Sequence, residues 1–269
     1  MNLALAVVFA LIGLLAGGVI NALADDLPDE NRVHRPHYPD GTPRRGVAWL
    51  GTLAFLTGAR VSPSGAKLRW RHVLVEIGLA ILFAYVGAAY PFSVRSLFWL
   101  GYLAILLLVT VIDLEHRLIL FIVMIPSYLF ALVGAVFIQD GTVAFRDYVI
   151  GGLVGFGLFF LMYLGGRLFN SVVSSARGEE LEEVAFGYGD VMLATLSGLM
   201  LGWQALIFAV TIAVFAGAAG ALVYLAARFV MRGQYEMYTA LPYGQYIVLG
   251  TVIMLLWREP VRLLLQGGK

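Results

Sequence analysis

The chain has 269 residues, 61% hydrophobic and 13% charged, with no cysteine and a formal net charge of +1. A soluble domain carries roughly a quarter of its residues charged, so an ordinary water-soluble enzyme is excluded, and the missing cysteines rule out disulfides, thiolate metal ligands and a cysteine nucleophile. A near-zero net charge offers no general attraction for nucleic acid, and the mean hydropathy of +0.87 directs the chain to a lipid bilayer.

Apolar stretches of about 17 to 25 residues, the length that crosses a hydrocarbon core roughly 30 Å thick, recur from end to end. In chain order they fall at 3–22, 74–90, 96–112, 118–138, 148–169, 184–202, 203–230 and 240–257. The expected fold is therefore all-α, a polytopic membrane protein with about eight transmembrane helices and a cytoplasmic loop region after the first. Ala22-Leu23-Ala24 resembles a signal-peptide cleavage site, but no basic residue precedes the first stretch, so it reads as a retained helix with its N-terminus outside. The loop 25–73, rich in Pro, Gly and Arg, reads as too short for a core of its own. The sixth stretch is the weakest, because too few residues separate Val191 from the Gly202-Trp203 break to span. Its helix is predicted to begin before Asp190, with Gly187 and Gly189 facing protein or water, since no interrupted backbone can face lipid.

This orientation leaves Arg95, Arg146, Arg258, Arg262 and Lys269 outside and the other thirteen of the eighteen Lys and Arg residues at the cytoplasmic face, as the positive-inside bias requires. Residues 1–95 form a first part, with two helices and the cysteine-free loop, and 96–269 a six-helix membrane domain.

Most acids fall in loops, where a carboxylate is usually just solvated. Asp113 ends the third stretch, after "LAILLLVTVI", and Asp190 opens the sixth within "FGYGDVMLA". An ionised carboxylate in a poorly solvated place costs several kcal/mol unless paired, neutralised or used. Two held close share one proton, so one acts as base toward water while the other, as an acid, polarises a carbonyl. That is aspartic-protease chemistry. Membrane acids also serve transporters, which favour an acid deep in a span and repeated halves; here both acids sit at one face and no repeat is visible.

These motifs resemble those of the prepilin peptidases, intramembrane aspartic proteases marked by Gly-x-Gly-Asp. "FGYGDVMLATLSGLMLGW" is similar to the family's glycine-rich aspartate motif and "VIDLEHRLIL" to its first aspartate segment; "NALADDLP", "SGAKLRWRHVLVE" and "LPYGQYIVLG" are similar to three further blocks in the same order. The resemblance implies catalytic Asp113 and Asp190, with Gly187, Gly189, Pro242 and Gly244 near substrate. It implies cleavage of type IV prepilins or pseudopilins after the leader glycine, at the cytoplasmic face of the bacterial inner membrane. In many relatives the new terminus is then N-methylated from S-adenosylmethionine. A catalytically inactive homologue acting as an assembly scaffold would look similar.

The chain departs from the family pattern in three places. Arg35, Tyr38, Val61 and Ser64 stand where many relatives carry two Cys-x-x-Cys pairs, so no zinc is expected there, and His34, His37 and His72 with Asp40 are a weak alternative metal set. Leu118-Ile119-Leu120-Phe121 replaces a Leu-Pro-Asp, and Met192 replaces a Lys. An acidic run, Glu179, Glu180, Glu182 and Glu183, precedes the second motif. It reads either as a solvated loop or as a lure for the basic leader of a substrate.

Overall fold

The computed structural model describes residues 2–30, 33–139, 143–177, 187–230 and 243–265. Among them there is no strand, only two isolated bridges, and the chain divides into two compact units, one ending at Leu118 and one beginning at Ile119.

The first unit contains α1 (Leu3–Glu30), a short α2 (Gly51–Leu56), α3 (Arg71–Ala89) and α4 (Val94–His116). Three of these, α1, α3 and α4, are long and apolar enough to cross a membrane, and they correspond to the first three predicted stretches. In lipid there is little hydrophobic gain in bringing helices together, so small residues that allow close van der Waals contact decide the packing. Gly17 of α1 is such a point, because a Cβ there would lie 2.6 Å from the Cα of Glu76 in α3.

The connection between α1 and α3 is more structured than its composition suggests. Two tight turns, Tyr38–Thr42 and Ser62–Ala66, are each closed by two backbone hydrogen bonds of 2.8–3.0 Å, with Gly41 and Gly65 supplying the positive φ that each turn needs. Tyr38, Ala48, Ala54 and Leu68 are buried together under Phe55 and Ala59, and the Phe55 ring meets Trp70 at 4.6 Å, tilted by 46°. The loop therefore does have a small core, contrary to the expectation from its length. Asp40 joins the two turns by accepting hydrogen bonds from Ser62 Oγ, at 2.6 Å, and from Ser64 Oγ.

The second unit contains α5 (Phe121–Phe137), α6 (Phe145–Arg177), α7 (Tyr188–Leu201), α8 (Trp203–Val230), α9 (Gly244–Leu256) and a short α10 (Arg258–Leu265). Helices α6 and α8 are long enough to span. Helix α7, at 14 residues, rises only about 21 Å, and every residue from Val191 to Leu201 except Thr195 is buried. It is the central helix of its unit. Against α6 the contact is backbone to backbone: a Cβ on Gly198 would collide with the carbonyl of Gly151. Tyr128 Oη of α5 donates to the Met192 carbonyl at 3.0 Å, and Thr251 Oγ1 of α9 donates to Ser197 Oγ at 2.8 Å. Gly202, at φ 80°, turns the chain from α7 into α8. Among the described residues five helices are long and apolar enough to span and three more, α5, α7 and α9, are apolar but shorter, one for each predicted stretch; the protein is an all-α polytopic membrane protein.

Candidate active site

Asp190 sits in the first turn of α7 and is half-buried. Gly187 precedes the helix in an extended conformation, φ −78° and ψ 154°, and its N–H donates to Asp190 Oδ2 at 3.3 Å. The carboxylate thus satisfies one of the N–H groups a helix start leaves unpaired, at the positive end of the helix dipole.

The two motif glycines differ in their surroundings. A Cβ on Gly189 would stand 3.1 Å from three side-chain atoms of Ile119, tighter than ordinary contact. Gly187 is exposed, and among the described residues no atom outside its chain neighbours comes nearer than 3.8 Å to its would-be Cβ. Close packing is therefore a property of Gly189, whereas Gly187 has no close neighbour among the described residues.

Around this turn the second unit is aromatic. Tyr188 stacks on Phe121 at 6.0 Å and meets Tyr163 edge-on at 5.8 Å. The guanidinium of Arg167 lies 5.8 Å above the Tyr163 ring. Tyr243 interacts electrostatically with Asp190 and packs beside Phe159 and Tyr246. Ile119 and Phe121, which stand in place of the family's polar segment, are thus packing partners of Gly189 and Tyr188. Met192, in place of the Lys, is buried. Gly244 opens α9 and is buried. Pro242, Glu179, Glu180, Glu182 and Glu183 lie outside the described residues. Sequence reasoning missed the aromatic rim, although the Tyr inside Gly-Tyr-Gly-Asp was a visible signal.

Asp113 belongs to the first unit, in the last turn of α4, and is half-buried. The helix ends at Arg117, whose left-handed backbone, φ 56° and ψ 36°, lets its N–H donate to the Asp113 carbonyl at 2.9 Å. For a residue other than glycine that conformation costs about 1 kcal/mol.

Beside this turn lies a network of charges. Glu76 is fully buried, yet accepts from Gly51 N at 2.6 Å, from Thr52 N and Oγ1 at 2.8 Å, and from Asn21 Nδ2 at 3.3 Å. Arg44, also buried, donates through Nε to the His37 carbonyl at 2.7 Å and places Nη2 3.4 Å from Asp25 Oδ2. Burial pushes its guanidinium below the usual arginine range. Arg71 pairs with Asp25 and, at 2.6 Å, with Glu115. The histidines go to separate partners: His34 and His37 face Asp26 at 3.7 and 3.6 Å, His72 faces Asp25 at 3.2 Å, and Asp40 is held by serines. Among the described residues no group of three or more His, Cys, Asp or Glu gathers in a form that could hold a metal ion.

The model of the type IV leader peptidase family matches residues 100–222, which include both Asp113 and Asp190. The prepilin leader peptidase/N-methyltransferase of Pseudomonas putida is 30% identical over 217 residues, 80% of this chain and 69% of that protein. The protein of the same name from Myxococcus xanthus is 28% identical over 225 residues, 81% of this chain and 62% of its own length. That from Aeromonas hydrophila is 26% identical over 249 residues, 87% of this chain and 78% of its own length. This chain therefore spans between about three fifths and four fifths of the length of these relatives. No solved structure matches it. Its identity to the P. putida protein and the extent of that match place the chain in the type IV leader peptidase family.

Proposed function

We propose that the chain is the endopeptidase that cleaves type IV prepilins or pseudopilins after the leader glycine, at the cytoplasmic face of the bacterial inner membrane, with Asp113 and Asp190 as its catalytic pair. The observation that carries this reading is that the family match, 100–222, contains both acids, Asp113 where an apolar helix ends and Asp190 where one begins. The segment 96–269 would then hold the whole peptidase apparatus, and residues 1–95 the cytoplasmic loop and its two helices.

The two helix ends suggest how the roles divide. Asp190 stands at the positive end of a helix dipole, which is complementary to a charged carboxylate, and Asp113 at the negative end of another, which is not. In the proposed reaction Asp190 takes a proton from water, the oxygen of that water bonds to the scissile carbonyl carbon, and Asp113 gives its proton to the carbonyl oxygen. When the tetrahedral intermediate collapses, the C–N bond breaks, the leaving amine receives the proton held by Asp190, and one hydroxyl returns its proton to Asp113 as the carbonyl re-forms. Gly187, Gly189, Pro242 and Gly244 would line the path of the extended substrate. The aromatic rim of Phe121, Tyr163, Tyr188 and Tyr243 supports an apolar peptide lying there.

The names of the relatives also raise methylation by S-adenosylmethionine. Methylation of the new terminus from S-adenosylmethionine would be a second activity of the chain. Among the described residues of the first unit Asn21 Oδ1 and Arg71 Nε are buried without a hydrogen-bond partner, while the adjacent carboxylates of Asp25 and Glu76 are committed to Arg71, His72, Gly51 and Thr52. The reaction assigned to Asp113 and Asp190 is peptide hydrolysis.

The test is leader release from a panel of prepilins by the purified protein in detergent. Release by the parent but not by Asp190→Asn supports the reading; no release from any prepilin favours the scaffold reading. The acidic run is a separate proposal, that Glu179, Glu180, Glu182 and Glu183 attract a basic leader. Reversing all four to Lys should then slow capture at low salt and leave turnover unchanged, with the gap narrowing as salt rises. Equal capture rates at low salt would reduce the run to a solvated loop.

A further inference from the structure

Glu115 follows Asp113 by two residues, which on an α-helix places it about 200° around the axis. It is thus a handle on the far side of the same turn. The carbonyls of a last helical turn lack intrahelical partners, and here the turn closes on a strained Arg117 rather than a glycine. What grips it comes from another helix. Glu115 Oε2 accepts from Arg71 Nη1 at 2.6 Å. The other arm of the same guanidinium, Nη2, reaches Asp25 at the end of α1 and stands 3.2 Å from His72 Nε2. The Arg71 side chain is only 14% exposed, against 76% for Arg69, whose Nη1 lies 3.6 Å from Glu115 Oε1. One planar fork therefore joins the end of α1, the start of α3 and the last turn of α4. A lysine, with one charged nitrogen, lacks the rigid fork that holds two carboxylates at a fixed angle.

We propose that Arg71 is a positioning residue for Asp113: by clamping Glu115 to Asp25 it fixes the rotation of the last turn of α4 and so the direction of the catalytic carboxylate. The inference rests on Asp113 being one of the two catalytic acids. It separates Arg71 from Arg44, which shares Asp25 but has no contact with Glu115 among the described residues.

Steady-state leader cleavage would be measured for the parent, Arg71→Met, Glu115→Gln, the double variant, Arg71→Lys and Arg44→Met, each alongside hydrogen exchange of the amides from 110 to 118. Loss of the clamp should lower kcat about tenfold, the scale of a small misplacement of a reacting group, with KM changed less than about twofold. The double variant should be no slower than the worse single, because both remove one contact, and Arg71→Lys should fall between parent and Arg71→Met. Exchange at the end of α4 should quicken in Arg71→Met and Glu115→Gln. Arg44→Met should lower thermal stability while leaving kcat and the exchange of α4 near parent values. Unchanged exchange at 110–118, multiplicative kcat losses, or a rise in KM at constant kcat would each overturn the clamp. An inactive parent would show first and would count against the peptidase reading, while the exchange measurement still decides whether Arg71 holds the turn.

Discussion

Polar groups that a membrane protein must bury are handled in two ways in this chain. In the unit ending at Leu118, Glu76 is fully buried and made tolerable by four donors, and Asp25, Arg44, Arg71, His72 and Glu115 form a connected set of ion pairs and hydrogen bonds. In the unit beginning at Ile119, the central helix α7 contains no charged residue after Asp190, and it is held by a glycine-to-glycine crossing and two neutral hydrogen bonds. The contrast shows where folding specificity comes from. Charge pairing defines a loop with little apolar mass, and close backbone contact defines helices surrounded by lipid, where apolar burial gives little drive. Each acid of the proposed pair is supported by the device of its own unit: Asp113 stands two residues from an ion-paired Glu115, Asp190 two residues after a ring-stacked Tyr188.

The largest expected effect tests whether the two units contribute equally to one reaction. Asp113→Asn and Asp190→Asn should each abolish leader release, because a lone carboxyl cannot serve as both acid and base, and both variants should remain inserted and melt like the parent. Substantial turnover by either one removes that acid from the mechanism.

Next come substitutions that strike one device at a time. Glu76→Ala strands the N–H groups of Gly51 and Thr52 and should cost about 3 kcal/mol. Gly198→Leu forces α6 and α7 apart and should cost at least as much. Hydrogen exchange resolved along the chain distinguishes them: the first should loosen residues before Leu118 and the second residues after Ile119. Loosening of both units by either variant would show that the two devices are not independent.

Gly189→Ala is a finer probe, because the added carbon meets Ile119 at 3.1 Å. It should lower kcat/KM about tenfold by shifting the turn that carries Asp190, and Ile119→Ala in the same chain should restore most of the loss. Gly187→Ala, with an extended backbone and no close neighbour among the described residues, should leave stability unchanged, so any loss of cleavage there reports on approach of the substrate. Failure of Ile119→Ala to rescue would mean that Gly189 is needed for something other than this contact.

Much of the architecture was legible because a bilayer imposes length and hydropathy directly on the sequence. All eight apolar runs became helices, and Asp113 and Asp190 were found at helix ends as their flanking residues implied. What escaped was pairing across distance. Arg71 lies 46 residues from Asp25 and 44 from Glu115, and Glu76 lies 55 from Asn21, so no local pattern distinguishes these charges from solvated loop groups. The loop core escaped for the same reason: Tyr38 and Leu68 are ordinary loop residues until two turns bring them together. Ile119 and Met192 stand where the family pattern has polar residues, and both side chains serve packing within the second unit.

The smallest expected effect concerns Asp40, which joins two turns where many family members place cysteines. Hydrogen bonds from Ser62, Ser64 and the Thr42 N–H hold its carboxyl well below the ordinary value of 3.8. A group whose native value is depressed stabilises the fold above its unfolded value, and the contribution fades as pH falls through the native one. Asp40→Asn should therefore melt slightly below the parent at pH 7. The gap should persist down to about pH 4 and narrow at lower pH, where the parent carboxylate also gains its proton. Comparing the two proteins at each pH removes the larger losses caused by protonating the other carboxylates, which both share. The effect stays small because this carboxylate is exposed and solvent screens it. Identical melts at neutral pH would mean that the loop is held by Tyr38, Leu68 and the buried ion pairs alone, and that the link between the two turns contributes nothing measurable.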